Sequence, residues 1–176
     1  MPSILRNAVC AACVALLPSL LAAQTQTRVM AHGGMFPFST LHAGGQVEVT
    51  PGAGNTSYYG EYSRWAFGLI CVDRVGGGPD GDRCGETGYT VHAGVTRHLR
   101  DANVRWRPYL SAGAGVARVV DASDDRHPVR ASLAVEGGYD WGGARAFNLR
   151  LGARWQGRPR VGTDYAGPVI GLRLRL

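Results

Sequence analysis

Apolar and polar side chains alternate along much of this chain, most plainly from Ala146 to Trp155. Phe147, Leu149, Leu151, Ala153 and Trp155 fall on one side of an extended strand; Asn148, Arg150, Gly152 and Arg154 fall on the other. The last residues do the same, with Ile170, Leu172, Leu174 and Leu176 alternating with Gly171, Arg173 and Arg175. This period of two predicts strands near Thr27–His32, Leu41–Thr50, Tyr59–Val72, Gly88–Leu99, Arg105–Val119, Val129–Trp141, Ala146–Trp155 and Pro168–Leu176. No helical period competes beyond the first residues, and no repeat or low-complexity linker divides the chain. Most segments reach the roughly 9–11 residues that a tilted strand needs to cross a bilayer.

The first residues have a different layout. Arg6 gives a positive start, Ala8 to Leu17 is a short apolar run, and Leu21-Ala22-Ala23 precedes Gln24. This is the order of a secretory leader, expected to be cleaved after Ala23. The expectation is therefore a signal peptide at 1–23 and one barrel domain at 24–176. Nothing later approaches the roughly 18 apolar residues of a spanning helix.

With the first strand rising from the periplasm, the inner turns are Pro51 to Tyr58, Arg100 to Val104 and Gly142 to Arg145. The outer loops are then Gly33 to Thr40, Asp73 to Thr87, Val120 to Pro128 and Gln156 to Gly167. The outer set is longer on average, as in outer-membrane barrels. Cys71 and Cys84 flank VDRVGGGPDGDR in one outer loop. An exported chain passes through an oxidising compartment, so a disulfide between them is expected. A metal pair lacks a histidine at ligand spacing.

Alternation alone does not say which face is inside. A soluble barrel of the lipocalin kind turns its apolar face inward around a ligand. Three features favour lipid on the apolar side. Gly68, Gly94, Gly113, Gly115, Gly138, Gly152 and Gly171 fall on the polar face, where a narrow lumen needs small residues. Trp106, Trp141 and Trp155 lie near strand ends, at the level of headgroups. The polar face also carries both signs: Glu48, Glu61 or its neighbours, Glu136 and Asp140 against Arg64, Arg150, Arg154, Arg173 and Arg175. A closed lumen requires such pairing, because an unpaired buried charge is expensive.

At this point the chain resembles the small outer-membrane barrels of the OmpA and OmpX type. The segment Arg107 to Val116, RPYLSAGAGV, is similar to their fifth strand, and AFNLRLGARW and the C-terminal strand are similar to their last two. The resemblance implies an all-β fold, an eight-stranded antiparallel up-and-down transmembrane β-barrel in the bacterial outer membrane. It also implies insertion by the barrel-assembly machinery through the C-terminal strand, and outer-membrane lipid and lipopolysaccharide as surroundings. These families usually end on an aromatic residue; this chain ends on Leu176, which keeps the apolar spacing.

Charge and chemistry add mainly exclusions. All 19 basic residues are arginine and the formal charge is +6. They are spread singly along strands instead of clustered, so no nucleic-acid partner is expected. No histidine among His32, His42, His92, His98 and His127 begins a His-x-Ser pair of the lipid A deacylase kind. Ser123, Asp124, Asp125 and His127 have triad chemistry but crowd one loop, where neighbours do not converge. Asp73, Asp80, Asp82 and Glu86 lack the spacing of a calcium loop. Arg118 stands where a nucleotide fingerprint needs its third glycine. No cofactor, metal or catalytic group is expected. A non-catalytic integral barrel is the leading expectation, with a lipid-modifying enzyme and a soluble ligand-binding barrel as rivals.

Overall fold

A computed structural model describes residues 25–36, 40–52, 54–67, 87–120, 129–142, 145–158 and 162–176. The expected signal segment, Cys71 and Cys84, Gly68, the acidic outer loop and the Ser123–His127 cluster lie outside the described residues. Eight strands form: β1 (Gln26–Phe36), β2 (Thr40–Thr50), β3 (Thr56–Phe67), β4 (Thr87–His98), β5 (Trp106–Val120), β6 (Val129–Trp141), β7 (Phe147–Arg158) and β8 (Gly162–Arg175). Each pairs antiparallel with its chain neighbours, and β1 pairs with β8 to close the barrel in the order β1 to β8. Closure leaves no sheet edge, which makes strands viable in hydrocarbon.

The register sets the shape. Stepping across it from Val129 through Arg118, Tyr89, Arg64, Ala43, Gly33, Ile170 and Leu151 leads back to β6 at Tyr139, ten positions further on. A stagger of this kind tilts strands by roughly 35–45° and leaves an interior just wide enough for side chains.

The two faces differ in sense from those of a soluble barrel. Leu110 (58% exposed), Phe147 (62%) and Ile170 (59%) stand on the outer wall, while Glu48, Arg150 and Arg173 are each 1% exposed inside. An apolar exterior around a polar interior excludes the lipocalin-like arrangement. At the turn end, Trp106 stacks on Trp141 with ring centroids 5.9 Å apart and meets Tyr139 edge-on at 6.4 Å. The Arg105 guanidinium lies 5.1 Å over the Trp141 ring. An aromatic cluster with a snorkelling cation is the arrangement that suits a membrane–water interface.

Several strands are longer than the alternation predicts. β1 runs to Phe36 because Gly33 and Gly34 hide the period yet keep register with Ala43 and His42. β3 begins at Thr56, so the turn predicted to reach Tyr58 ends sooner. β8 begins at Gly162, six residues before Pro168, past a register shift between Gln156 and Gly157.

Glycine makes room inside. A Cβ on Gly113 would strike Tyr59 Oη, and one on Gly152 would strike Tyr109 Oη. The two inward tyrosines therefore occupy the space that these glycines vacate.

Candidate functional site

Among the described residues the reactive groups concentrate in the interior, and strand parity puts them there. β7 points Asn148, Arg150, Arg154 and Gln156 inward, and β6 points Ser132, Glu136 and Asp140 inward to meet them. Cross-strand register then faces Arg150 with Asp140 and Arg154 with Glu136.

Asp140 is the hub near the turn end. Arg150 donates from Nε to Oδ1 at 2.8 Å and from Nη2 to Oδ2 at 3.2 Å. Arg173 Nη1 and His98 Nε2 each lie 2.7 Å from Oδ2. Arg173 also forms an ion pair with Glu48 at 2.8 Å. Arg150 reaches Glu48 at 3.8 Å and Glu136 at 3.7 Å, and its guanidinium carbon rests 4.0 Å over the Tyr109 ring. Tyr109 in turn donates to Glu136 Oε1 at 2.6 Å.

A second layer lies nearer the loop end. Arg154 on β7 spans the lumen to Glu61 on β3, donating from Nη1 and Nη2 at 2.8 and 2.6 Å. Its Nη2 also donates to Gln156 Oε1 at 3.0 Å. Hydroxyl pairs add to the polar interior: Ser63 with Thr90, and Thr50 with Ser57 at the turn end, both at 2.7 Å. Side chains thus cross the barrel at two levels, which fits a plugged core and not an aqueous channel.

Of the residues expected to share the lumen, Glu48, Glu136, Arg150, Arg154 and Arg173 are buried there. Arg64 is not. Glu61, Ser63 and Trp65 point inward, so Arg64 is placed on the outer wall and is exposed. Residues 61 and 64 are an odd number apart, and a regular strand cannot show both on one face. Arg175 keeps inward parity but is exposed at the mouth. Glu61, Asp140 and His98 carry more of the network than the alternation indicated, because the choice among acids depends on stagger between distant strands.

Two arrangements with chemical potential occur inside. His32, His42 and Glu61 bring one ligand atom each within 4.8 Å of one another. Glu61, however, already receives both terminal nitrogens of Arg154, so a metal ion there would sit beside a guanidinium. His92 Nε2 lies 3.0 Å from Ser132 Oγ, resembling a nucleophile and base. His92 Nδ1 has no hydrogen-bond partner among the described residues, so the orienting acid of a triad is missing.

A closed eight-stranded antiparallel barrel with an apolar wall and a charged core is an integral barrel of the outer-membrane type. Solved structures agree in fold. The N-terminal β-barrel domain of Pseudomonas aeruginosa OprF is similar with a TM-score of 0.64 and 15% identity, covering 88% of this chain and 98% of that one. The Yersinia pestis outer membrane protein Ail, in a phospholipid nanodisc, gives 0.55 and 13%, covering 87% and 100%. Neisserial surface protein A gives 0.51 and 14%, covering 86% and 91%. No family model matches the chain, and no curated protein does.

Proposed function

We propose that this chain is a non-catalytic integral protein of the bacterial outer membrane, contributing to envelope integrity and to contacts made by its outer loops. The carrying observation is the plugged core: Arg154–Glu61 and Arg150–Asp140–Arg173 span the lumen with ion pairs between side chains of its own strands. A transporter needs an open path, and a hydrolase needs a complete triad facing its substrate. Here the Ser132–His92 pair is sealed inside, away from acyl chains. The apolar wall fits outer-membrane lipid and lipopolysaccharide as surroundings, and the amphipathic β8 fits recognition by the barrel-assembly machinery. Cell fractionation with unheated gel electrophoresis tests the reading. The protein should stay with the outer membrane and change mobility on heating; recovery in the detergent-free periplasmic fraction would overturn it. Turnover of lipid A or phospholipid by the purified barrel would overturn the non-catalytic part.

A further inference from the structure

The charges of the core do not balance at the turn end of the barrel. Arg28, Arg107, Arg150 and Arg173 are buried there against Glu48 and Asp140, with Glu136 3.7 Å from Arg150 but shared with Arg154, and Asp101 exposed in the turn beside Arg107's partner Asn55. Arg150 and Arg173 engage both acids. Arg28 stands across the register from Glu48, and Arg107 across from Asp140. Yet among the described residues neither has a carboxylate at ion-pair distance. Arg28 donates from Nη2 to Gln26 Oε1 at 3.3 Å, and its Nε has no hydrogen-bond partner among the described residues. Arg107 donates to the Arg100 carbonyl at 3.2 Å and to Asn55 Oδ1 at 3.3 Å. All these acceptors are neutral.

Both arginines are 3% exposed and line one recess of about 110 Å³, together with Gln26, Thr50, Ser57 and His98. The recess lies at the mouth where the turns at 51–55 and 99–105 meet the barrel. Arg175, opposite Arg28 in the β1–β8 register, adds an exposed positive charge at the rim. Two buried guanidinium groups with no carboxylate at ion-pair distance among the described residues, forked donors beside a small polar cavity, suit a tetrahedral or planar oxyanion. We infer that this recess binds a small oxyanion, a phosphate group above all, between Arg28 and Arg107. The phosphate can belong to a free ion or to a phospholipid headgroup at the inner rim; the chemistry of capture is the same.

The test uses untagged full-length mature protein refolded in octyl glucoside, a detergent without phosphate. Inorganic phosphate is titrated while backbone amides and arginine Nε–H resonances are followed by NMR, against chloride at matched ionic strength. Saturable shifts are expected at Arg28, Arg107, Gln26 and Ser57. Arg28→Gln and Arg107→Gln should each weaken apparent affinity at least tenfold, whereas Arg97→Gln, on the outer wall at the same end, should leave it unchanged. Micelles doped with phosphatidylglycerol separate the sources. Saturation by phosphate alone identifies a soluble anion, and shifts that need the lipid identify a headgroup. Linear shifts equal to those with chloride, or unchanged binding in the double variant, would overturn the site. Heat-modifiable gel mobility reports whether each variant folds. If a variant does not, the wild-type Arg28 and Arg107 Nε–H signals still decide, because silence at both rejects the proposal.

Discussion

Removing Arg154 should destabilise the barrel more than removing Arg150, although Arg150 makes the longer list of contacts. Without Arg150, every acid it touches keeps another partner. Asp140 retains Arg173 and His98 at 2.7 Å, Glu48 retains Arg173 at 2.8 Å, and Glu136 retains the Tyr109 hydroxyl at 2.6 Å. What is lost is chiefly the hydrogen bonds to Asp140 and the stacking on Tyr109, together about 2–3 kcal/mol for charged hydrogen bonds and a desolvated cation–π contact that the remaining cations partly offset. Without Arg154, Glu61 keeps, among the described residues, His32 at 3.8 Å as its ion-pair partner. A buried carboxylate stripped of its cation costs about 3–5 kcal/mol, less where water enters. Arg154→Met and Arg150→Met should therefore be compared by urea unfolding in phosphocholine vesicles, followed by tryptophan fluorescence, with heat-modifiable mobility as the check on folding. Adding Glu61→Gln to Arg154→Met should recover most of the loss, since it removes the orphaned charge. Equal or reversed costs for the two arginines, or no recovery in the double variant, would refute the claim that acid satisfaction sets the ranking.

Other outcomes follow from the same geometry. Leu151→Arg should cost roughly 2–4 kcal/mol near the bilayer midplane, while Arg64→Ala on the outer wall should stay within about 0.5 kcal/mol; both are read by the same unfolding assay. Gly113→Ala should destabilise by about 1–3 kcal/mol through overpacking, and Tyr59→Phe should relieve part of that cost, because Tyr59 Oη is the first atom met. Mature protein should contain no free thiol, with Cys71 bonded to Cys84; quantitative alkylation of both without reductant would contradict this.

The architecture was legible where side chains alternate without interruption. β7 carries five apolar residues opposite four small or polar ones, and its inward set is the buried set. Legibility failed where side chains are missing or where the period is broken. Gly33 and Gly34 concealed the end of β1, and Pro168 with Gly171 concealed how early β8 starts. The charged core was legible by residue type but not by partner. Arg150 is four residues from Arg154, yet one serves Asp140 and the other Glu61, 93 positions away in the chain. Such pairings follow from the stagger of the whole barrel, which no local pattern encodes. The same holds for the meeting of His32 with His42 and for the excess of arginine at the turn end.

The long-range pairing of core charges bears on how the protein is assembled. Glu61 on β3 and Glu48 on β2 find their cations on β7 and β8, the last strands to be made. A sheet of the first six strands would lack the guanidinium groups that contact these carboxylates, leaving Glu48 and Asp140 only the more distant Arg28 and Arg107 across the register, besides His98 on Asp140. Its polar face could not enter hydrocarbon in that state, where charge is costly at every depth of the core. Only when β7 and β8 are in place does each of these carboxylates gain its contacting guanidinium. The lumen would thus work as a checksum on completeness: a truncated or misregistered chain should stay out of the bilayer, and insertion should coincide with closure.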